Sequence, residues 1–239
     1  MSNALIEKLA RRDVLDANEE AALRRVLGPA LRVPAGRDIV SEHVRVDQST
    51  LILSGFTARY TTLANGRRQI TEINVAGDFV DLHSLLMKQM DHGIVALNDC
   101  TIVHASHADL RKLIDDHGHL ARLLWLDTVI DAAIHRQWLV AMGRRSALAH
   151  LCHLICELYL RLEVVGQAES RAFDLPLSQA VLGDALGLST VHVNRLVSEL
   201  RTEGIITWVA GRVTILDWER LAGIAEFDPT YLRLHREPT

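Results

Sequence analysis

The chain has 239 residues, 49% of them apolar, with 26 basic against 30 acidic side chains and a formal net charge of −4. That is enough chain for two modest cores. No apolar run approaches the roughly 20 residues that cross a bilayer and no basic, hydrophobic leader opens the sequence, so no membrane partner and a cytoplasmic location are expected.

In chain order, apolar residues at helical spacing come first: Leu5, Ile6, Leu9 and Ala10, then Ala21, Ala22, Leu23, Val26 and Leu27, ending near Gly28-Pro29. The period then changes. Ile39-Val40, Leu51 to Phe56, Arg59 to Leu63, Gln69 to Val75 and Ile94 to Val103 are predicted strands, broken at Pro34-Ala35-Gly36, Ser54-Gly55, Asn65-Gly66 and Ala76-Gly77-Asp78. Asn65-Gly66 is the strongest hairpin signal, because both residues tolerate positive φ. Short strands at this spacing imply a small barrel or roll, and residues 1–116 are assigned to it together with the N-terminal helices.

A proline-free helical pattern follows from about His117 to Met142. Leu120, Leu123, Asp127, Ile130, Ile134, Gln137 and Ala141 repeat at three and four, the spacing of a seam with a second copy of the chain, with Asp127 and Gln137 as its polar positions. The same helix carries Leu124, Trp125 and Leu126, so it is expected to pack on its own roll as well. Residues 117–143 form this dimerisation helix. Gly143 marks the break before a further helix, Ser146 to about Val165, and residues 166–170 read as a polar connector.

Residues 144–239 form the third unit. Ser178 can cap a short helix with Val181, Leu182 and Ala185 on one stripe, Gly187 permits a left-handed turn, and Ser189 can cap a second helix that turns Val193, Leu196, Val197 and Leu200 inward. Facing out are Thr190, Val191, His192, Asn194, Arg195, Ser198 and Arg201. Arginine pairs bidentately with guanine, asparagine with adenine, and an apolar group meets the thymine methyl, so this is the residue set of a DNA-reading helix. Two β-branched runs flank Ala210-Gly211-Arg212 and read as a wing, with Arg212 placed to meet a phosphate. From Ser189 to Arg220 four arginines (Arg195, Arg201, Arg212, Arg220) balance four acids (Glu199, Glu203, Asp217, Glu219). A basic footprint must then come from orientation, and binding should fall steeply with salt. Asp217 can cap a last helix carrying Leu221, Ile224 and Ala225, after which Phe227, Tyr231 and Leu232 read as a strap on the wing.

Roll, long helix and winged helix-turn-helix, in this order, resemble the Crp/Fnr family of bacterial transcription regulators over nearly the whole chain. The resemblance rests on Gly36, Gly55 and Gly77 at sharp turns of the roll and on Ser189 to Arg195, whose arginine stands where the family contacts guanine. It implies an α+β fold: an N-terminal cyclic-nucleotide-binding-like β-roll, a long dimerisation helix and a C-terminal winged helix-turn-helix. It also implies a homodimer on an inverted repeat of double-stranded DNA. Arg195 would read guanine, with Asn194, Val191 and His192 tuning neighbouring bases and Ser189, Thr190, Arg201 and Arg212 holding phosphates. RNA polymerase is a candidate partner; no enzymatic activity and no cofactor are implied.

The departures from the family pattern are informative. Cyclic-nucleotide binders carry Gly-Glu-Leu and, later, Arg-Ser or Arg-Thr before Ala, where this chain reads Val80-Asp81-Leu82-His83 and Met90-Asp91-His92-Gly93. With the arginine missing and carboxylates near its place, cyclic AMP is not the expected effector. Asp81, Leu82, His83, Asp91 and His92 stay candidates for lining a pocket for another small molecule, the alternative being a roll without a ligand. Fumarate-nitrate type members hold an iron-sulfur cluster through N-terminal cysteines, and here no cysteine precedes Cys100. Val191 and Asn194 stand where those relatives have glutamate and serine, so the half-site should differ, a thymine methyl replacing a cytosine contact.

Twelve histidines open two competing readings. Asp81, His83, Asp91, His92, His104 and His107 all fall in the roll, and a barrel can gather such groups into an open metal site, as in cupin-like metal-dependent enzymes. On the helix after Gly143, His150, His153 and Cys156 share a face, with Cys152 beside them: a donor set for a zinc- or redox-responsive regulator. Against it, Leu148, Leu151, Ile155 and Leu158 mark that helix as core, where cysteine acts as a small hydrophobe. No bound metal is expected at either cluster. The three cysteines, Cys100, Cys152 and Cys156, make no disulfide framework, which suits a reducing compartment.

Overall fold

The computed structural model describes residues 4–236. Two helices, α1 (Ala4–Ala10) and α2 (Ala17–Val26), stand where the apolar spacing predicts one helical segment. Asp16 divides them: its carboxylate accepts the Asn18 and Glu19 N–H groups, and Glu19 accepts the Asp16 N–H in return, a reciprocal cap that starts a new helix.

The roll contains β1 (Leu31–Val33), β2 (Asp38–Val40), β3 (Gln48–Ser54), β4 (Thr57–Thr62), β5 (Arg68–Asn74), the one-turn helix α3 (Ser84–Met87), β6 (Gly93–Ala96) and β7 (Cys100–Ser106). They form two antiparallel sheets, ordered β1-β7-β3 and β2-β6-β4-β5. Leu51 opposes Val103 in the first, and Thr62 opposes Arg68 across the Asn65-Gly66 turn in the second. The run from Ile94 to Val103 is two strands and not one. Leu97 to Asp99 turn the chain, and Asn98 Oδ1 accepts the Phe56 N–H at 2.7 Å. Beside that turn Gly55 has φ +92, and a Cβ there would lie 2.7 Å from Cys100 Sγ, so both conformation and space require glycine.

Ser106 caps α4 (His107–Asp116), and the 27-residue α5 (Gly118–Arg144) follows. The expected seam of α5 faces the wrong way for a second chain. Leu120 and Leu123 join Leu5, Leu9, Leu23, Leu51 and Leu110 in one core, Ile130 and Ile134 pack with Ile70 and Val75 of the roll, and Asp127 pairs with Lys8 and Arg12. The three-four repeat is satisfied inside one protomer. A second stripe at the same spacing lies outside: Trp125, Val129, Ala132, Arg136 and Leu139 are exposed, Trp125 by 71% and Leu139 by 68%.

Every residue from His150 to Tyr159 of α6 (Ala147–Val164) is buried, so this helix is the post between roll and C-terminal unit. The segment read as a connector is instead a hairpin, β8 (Ala168–Glu169) and β9 (Ala172–Asp174), turned by Ser170 and Arg171 at positive φ. Beyond it come α7 (Gln179–Leu186), α8 (Thr190–Thr202), β10 (Ile206–Val209), β11 (Arg212–Ile215) and α9 (Trp218–Ala225). The wing is thereby a four-stranded sheet, ordered β10-β11-β9-β8. A 3₁₀ turn at Pro229–Leu232 ends the described chain's regular structure. It docks on α5 and α6 and not on the wing, with Tyr231 stacked on His153 and its hydroxyl donating to Glu157 at 2.8 Å. Among the described residues, no helix is long and apolar enough to cross a membrane.

Candidate nucleic-acid interface and sensing pocket

The capping expectations at the two helices hold in detail. Ser178 Oγ accepts the Val181 N–H at 3.2 Å, Gly187 adopts φ +69, and Ser189 Oγ accepts the His192 N–H at 3.3 Å. One glycine escaped sequence reasoning. A Cβ on Gly183 would lie 2.7 Å from the Leu188 carbonyl oxygen, so the chain after the turn can close over α7 only because that position is bare. Its signal was a glycine inside a helix, four residues before the turn.

Val193, Leu196 and Leu200 fill the inner face of α8, whereas Thr190, Val191, Asn194, Arg195, Ser198 and Arg201 are exposed and His192 is half-buried. Val191, 78% exposed, is an isolated apolar group at the N-terminal end, where a thymine methyl could be met. Arg195 Nη2 lies 3.1 Å from His192 Nε2, which holds the guanidinium along the helix surface. Asn194 Oδ1 accepts a hydrogen bond from Gln179 at 2.7 Å, a second-helix contact that the sequence did not announce. Arg212 is exposed on the wing but paired with Asp174 at 2.8 Å, so a phosphate there competes with a carboxylate.

A further concavity lies between roll and α5, a cavity of about 50 Å³. Leu82 and His83 line it with Lys8, Arg12, Arg59, Glu72, Asp78, Asp127, Asp131 and Arg161. The cations are all paired: Lys8 with Asp78 and Asp127, Arg12 with Asp127, Arg59 with Glu72 and Asp131, Arg161 with Asp78 and Glu157. Burial first, then the Asp131 charge, pushes Glu72 well above the usual carboxylate range. Burial works against the ionised form of Asp78 as well, but Lys8 and Arg161 outweigh it and hold that carboxyl low. A cyclic phosphate would meet no unpartnered cation among these lining residues, and the space admits only a few waters. Sequence patterns gave no sign of this network, because its members are brought together from five separate segments.

Asp81 is fully buried outside this cavity. Its carboxylate accepts the Thr50 N–H, and burial raises its pKa to about 7. It tethers a strand of the roll. Asp91 and His92 lie beside His83, with His92 Nδ1 2.8 Å from Asp91 Oδ1 and the two imidazole centres 5.1 Å apart. Burial carries His83 down to about 4 and lowers His92 too. His104 and His107 do not join them: the first contacts Thr50 Oγ1 at 3.2 Å, the second Ser84 Oγ at 3.0 Å. The six-residue metal cluster therefore reduces to three.

The second cluster is core. His150 stands edge-on to Trp138, His153 packs between Phe227 and Tyr231, and burial raises the Cys152 thiol to about 12 and the Cys156 thiol further. Thiols so placed stay protonated and inert. His150, His153 and Cys156 do not converge on a common point where an ion could sit.

A roll joined by a long helix to an exposed reading helix and wing defines a DNA-binding transcription regulator. Residues 30–117 match the cyclic nucleotide-binding domain and residues 149–224 the Crp-like helix-turn-helix domain. The chain belongs to the Crp/Fnr family of transcription regulators. It is similar to the nitrogen fixation regulation protein FixK of Bradyrhizobium diazoefficiens, 26% identical over 83% of each chain. It is also similar to the transcriptional activator protein FnrL of Cereibacter sphaeroides, 25% identical over 78% of this chain and 76% of that one. The fold is that of FixK2 from Bradyrhizobium japonicum, with a TM-score of 0.74 at 24% identity over 82% of this chain and 96% of that structure.

Proposed function

We propose that the protein acts as a homodimer that binds an inverted repeat, with the roll as its sensing domain. The carrying observation is the division of α8 into a buried inner face and an exposed face bearing Val191, Asn194 and Arg195. Arg195 reads guanine and Val191 a thymine methyl; Asn194 and His192 tune neighbouring bases. Ser189, Thr190, Arg201 and Arg212 hold phosphates. Two copies joined through the outer stripe of α5, Trp125, Val129, Ala132, Arg136 and Leu139, set the reading helices into successive major grooves roughly 34 Å apart. An effector would act by shifting the bias between two arrangements of these heads. The paired charges of the roll cavity support an effector other than cyclic AMP.

Selection of random duplex DNA by the purified protein, with Arg195→Ala beside it, tests the reading. The expected result is an enriched inverted repeat with half-sites about one helical turn apart, and a loss in the variant of about 1–3 kcal/mol confined to one base of each half-site. A loss spread evenly over all sequences would assign Arg195 to the backbone. Absence of enrichment with and without candidate effectors would overturn the proposal.

A further inference from the structure

His83 Nε2 and His92 Nε2 are both buried and both lack a hydrogen-bond partner, the only two side-chain atoms of this kind among the described residues. Buried polar atoms are satisfied with few exceptions, and two orphans on adjacent rings ask for one explanation. Asp91 Oδ1 accepts a hydrogen bond from His92 Nδ1–H, which leaves the lone pair on Nε2. A carboxylate behind an imidazole is also the arrangement that orients a metal-ligating histidine and raises its basicity.

The ring geometry fits an ion. With metal–nitrogen bonds of about 2.0–2.1 Å, the ion sits about 3.2 Å from each ring centre, and a tetrahedral angle places the centres about 5.2 Å apart. The observed separation is 5.1 Å. One ring nitrogen of His83, one of His92 and a carboxylate oxygen of Asp91 lie within 4.8 Å of one another. Arg59 is the neighbouring cation, and its charge is already met by Glu72 and Asp131.

We propose that His83 and His92, with Asp91 behind His92, bind a divalent first-row transition-metal ion of the zinc type at the wall of the roll, its remaining positions open to water or a small ligand. Imidazole donors with a carboxylate suit zinc, iron(II), cobalt(II) and nickel(II) and disfavour magnesium and calcium. The inference rests on reading the roll as the sensing domain and would make that ion, or what it carries, the input.

The test uses the full chain stripped with a chelator and titrated with Co²⁺, followed by its visible absorption and by displacement with Zn²⁺. One ion per chain is expected. His83→Asn and His92→Asn should each abolish binding, Asp91→Asn should weaken it about 10–100-fold, and His119→Asn, at an imidazole held by Glu19 and Asp13 and not by this site, should leave it unchanged. Zn²⁺-induced shifts of the His83 and His92 ring-nitrogen resonances in the unaltered protein give the same answer should a variant fail to fold. No ion bound at millimolar metal, or binding that survives the His83→Asn, His92→Asn double substitution, would overturn the proposal. DNA selection on the same preparations separates the two readings. Metal binding without DNA binding supports the site and removes the regulator mechanism; DNA binding without metal binding does the reverse.

Discussion

Replacing Arg161 by methionine removes the cation at the junction of roll and α6 while keeping most of its volume. The guanidinium donates to the Ile73 carbonyl at 3.0 Å, to Glu157 at 3.1 Å and to Asp78 at 2.7 Å, and it lies 3.5 Å from Glu72. Asp78 would keep Lys8. Glu157, with no solvent exposure, would keep only the neutral donors Trp138 and Tyr231. Removing one partner of a buried pair costs about 3–5 kcal/mol, because the other charge stays desolvated; the surviving Lys8–Asp78 pair argues for about 3. Urea unfolding reads this as a fall in midpoint at unchanged slope. Adding Glu157→Gln should recover about 1–2 kcal/mol, since it discharges the stranded carboxylate and keeps an acceptor for Trp138. Arg212→Ala is the contrast: its pair with Asp174 is as short, but both side chains are more than half exposed, and its loss should cost less than about 1 kcal/mol. An Arg161→Met loss below about 1 kcal/mol, or no recovery from the second substitution, would refute the account of this junction.

Gly183→Ala should destabilise by about 1–3 kcal/mol through overpacking and displace the turn before α8, read as a lowered unfolding midpoint and weaker DNA binding; unchanged stability would mean the Leu188 carbonyl yields freely. Trp125→Glu with Leu139→Glu should convert a dimer to monomers in analytical ultracentrifugation without lowering the protomer's own stability, because both side chains are exposed; a persistent dimer would move the interface elsewhere. His119 contacts Glu19 at 2.7 Å and Asp13 at 3.2 Å, and although burial alone would lower its pKa, these partners raise it. Its stabilising contribution is therefore full below the unfolded histidine pKa near 6.5 and is lost as pH rises through the higher folded value. His119→Gln should lower the melting temperature at pH 5.5 and leave it nearly unchanged at pH 9; an equal loss at both would point to packing instead.

Local chemistry was the legible part of this chain. Ser178, Gly187, Ser189 and Asp217 each govern backbone groups within four residues of themselves, so their roles can be read without knowing what the helices pack against. The Asn65-Gly66 turn and the inward face of α8 are of the same kind. Strands β8 and β9 were not legible, because two and three residues show no period and gain their stability from pairing, β8 with β9 and β9 in turn with β11. Nor was the split between β6 and β7, where the residues on either side of the turn suit a strand and the break is held by tertiary contacts of Asn98 with Phe56 and of Asp99 with Ala35. In the roll, the sequence pointed to His83, Asp91 and His92 but added His104 and His107, which make other contacts, with Thr50 and Ser84.

The seam of α5 shows where a period stops being informative. A three-four repeat names a stripe on a helix but not the object that covers it, and α5 has two such stripes about half a turn apart. Leu120 to Ile134 are covered by the protomer's own roll, so the desolvation that makes them a good zipper is already complete in one chain. Trp125 and Leu139 have no cover, and their exposure is the cost that a second copy would relieve. Asp127 makes the same point from the polar side. At a seam between two copies it would face its own charge, whereas inside the protomer it meets Lys8 and Arg12 from α1 and the turn after it. Because those cations lie more than a hundred residues away in sequence, no pattern within α5 could assign the direction of its faces; the charge balance of the N-terminal segment does.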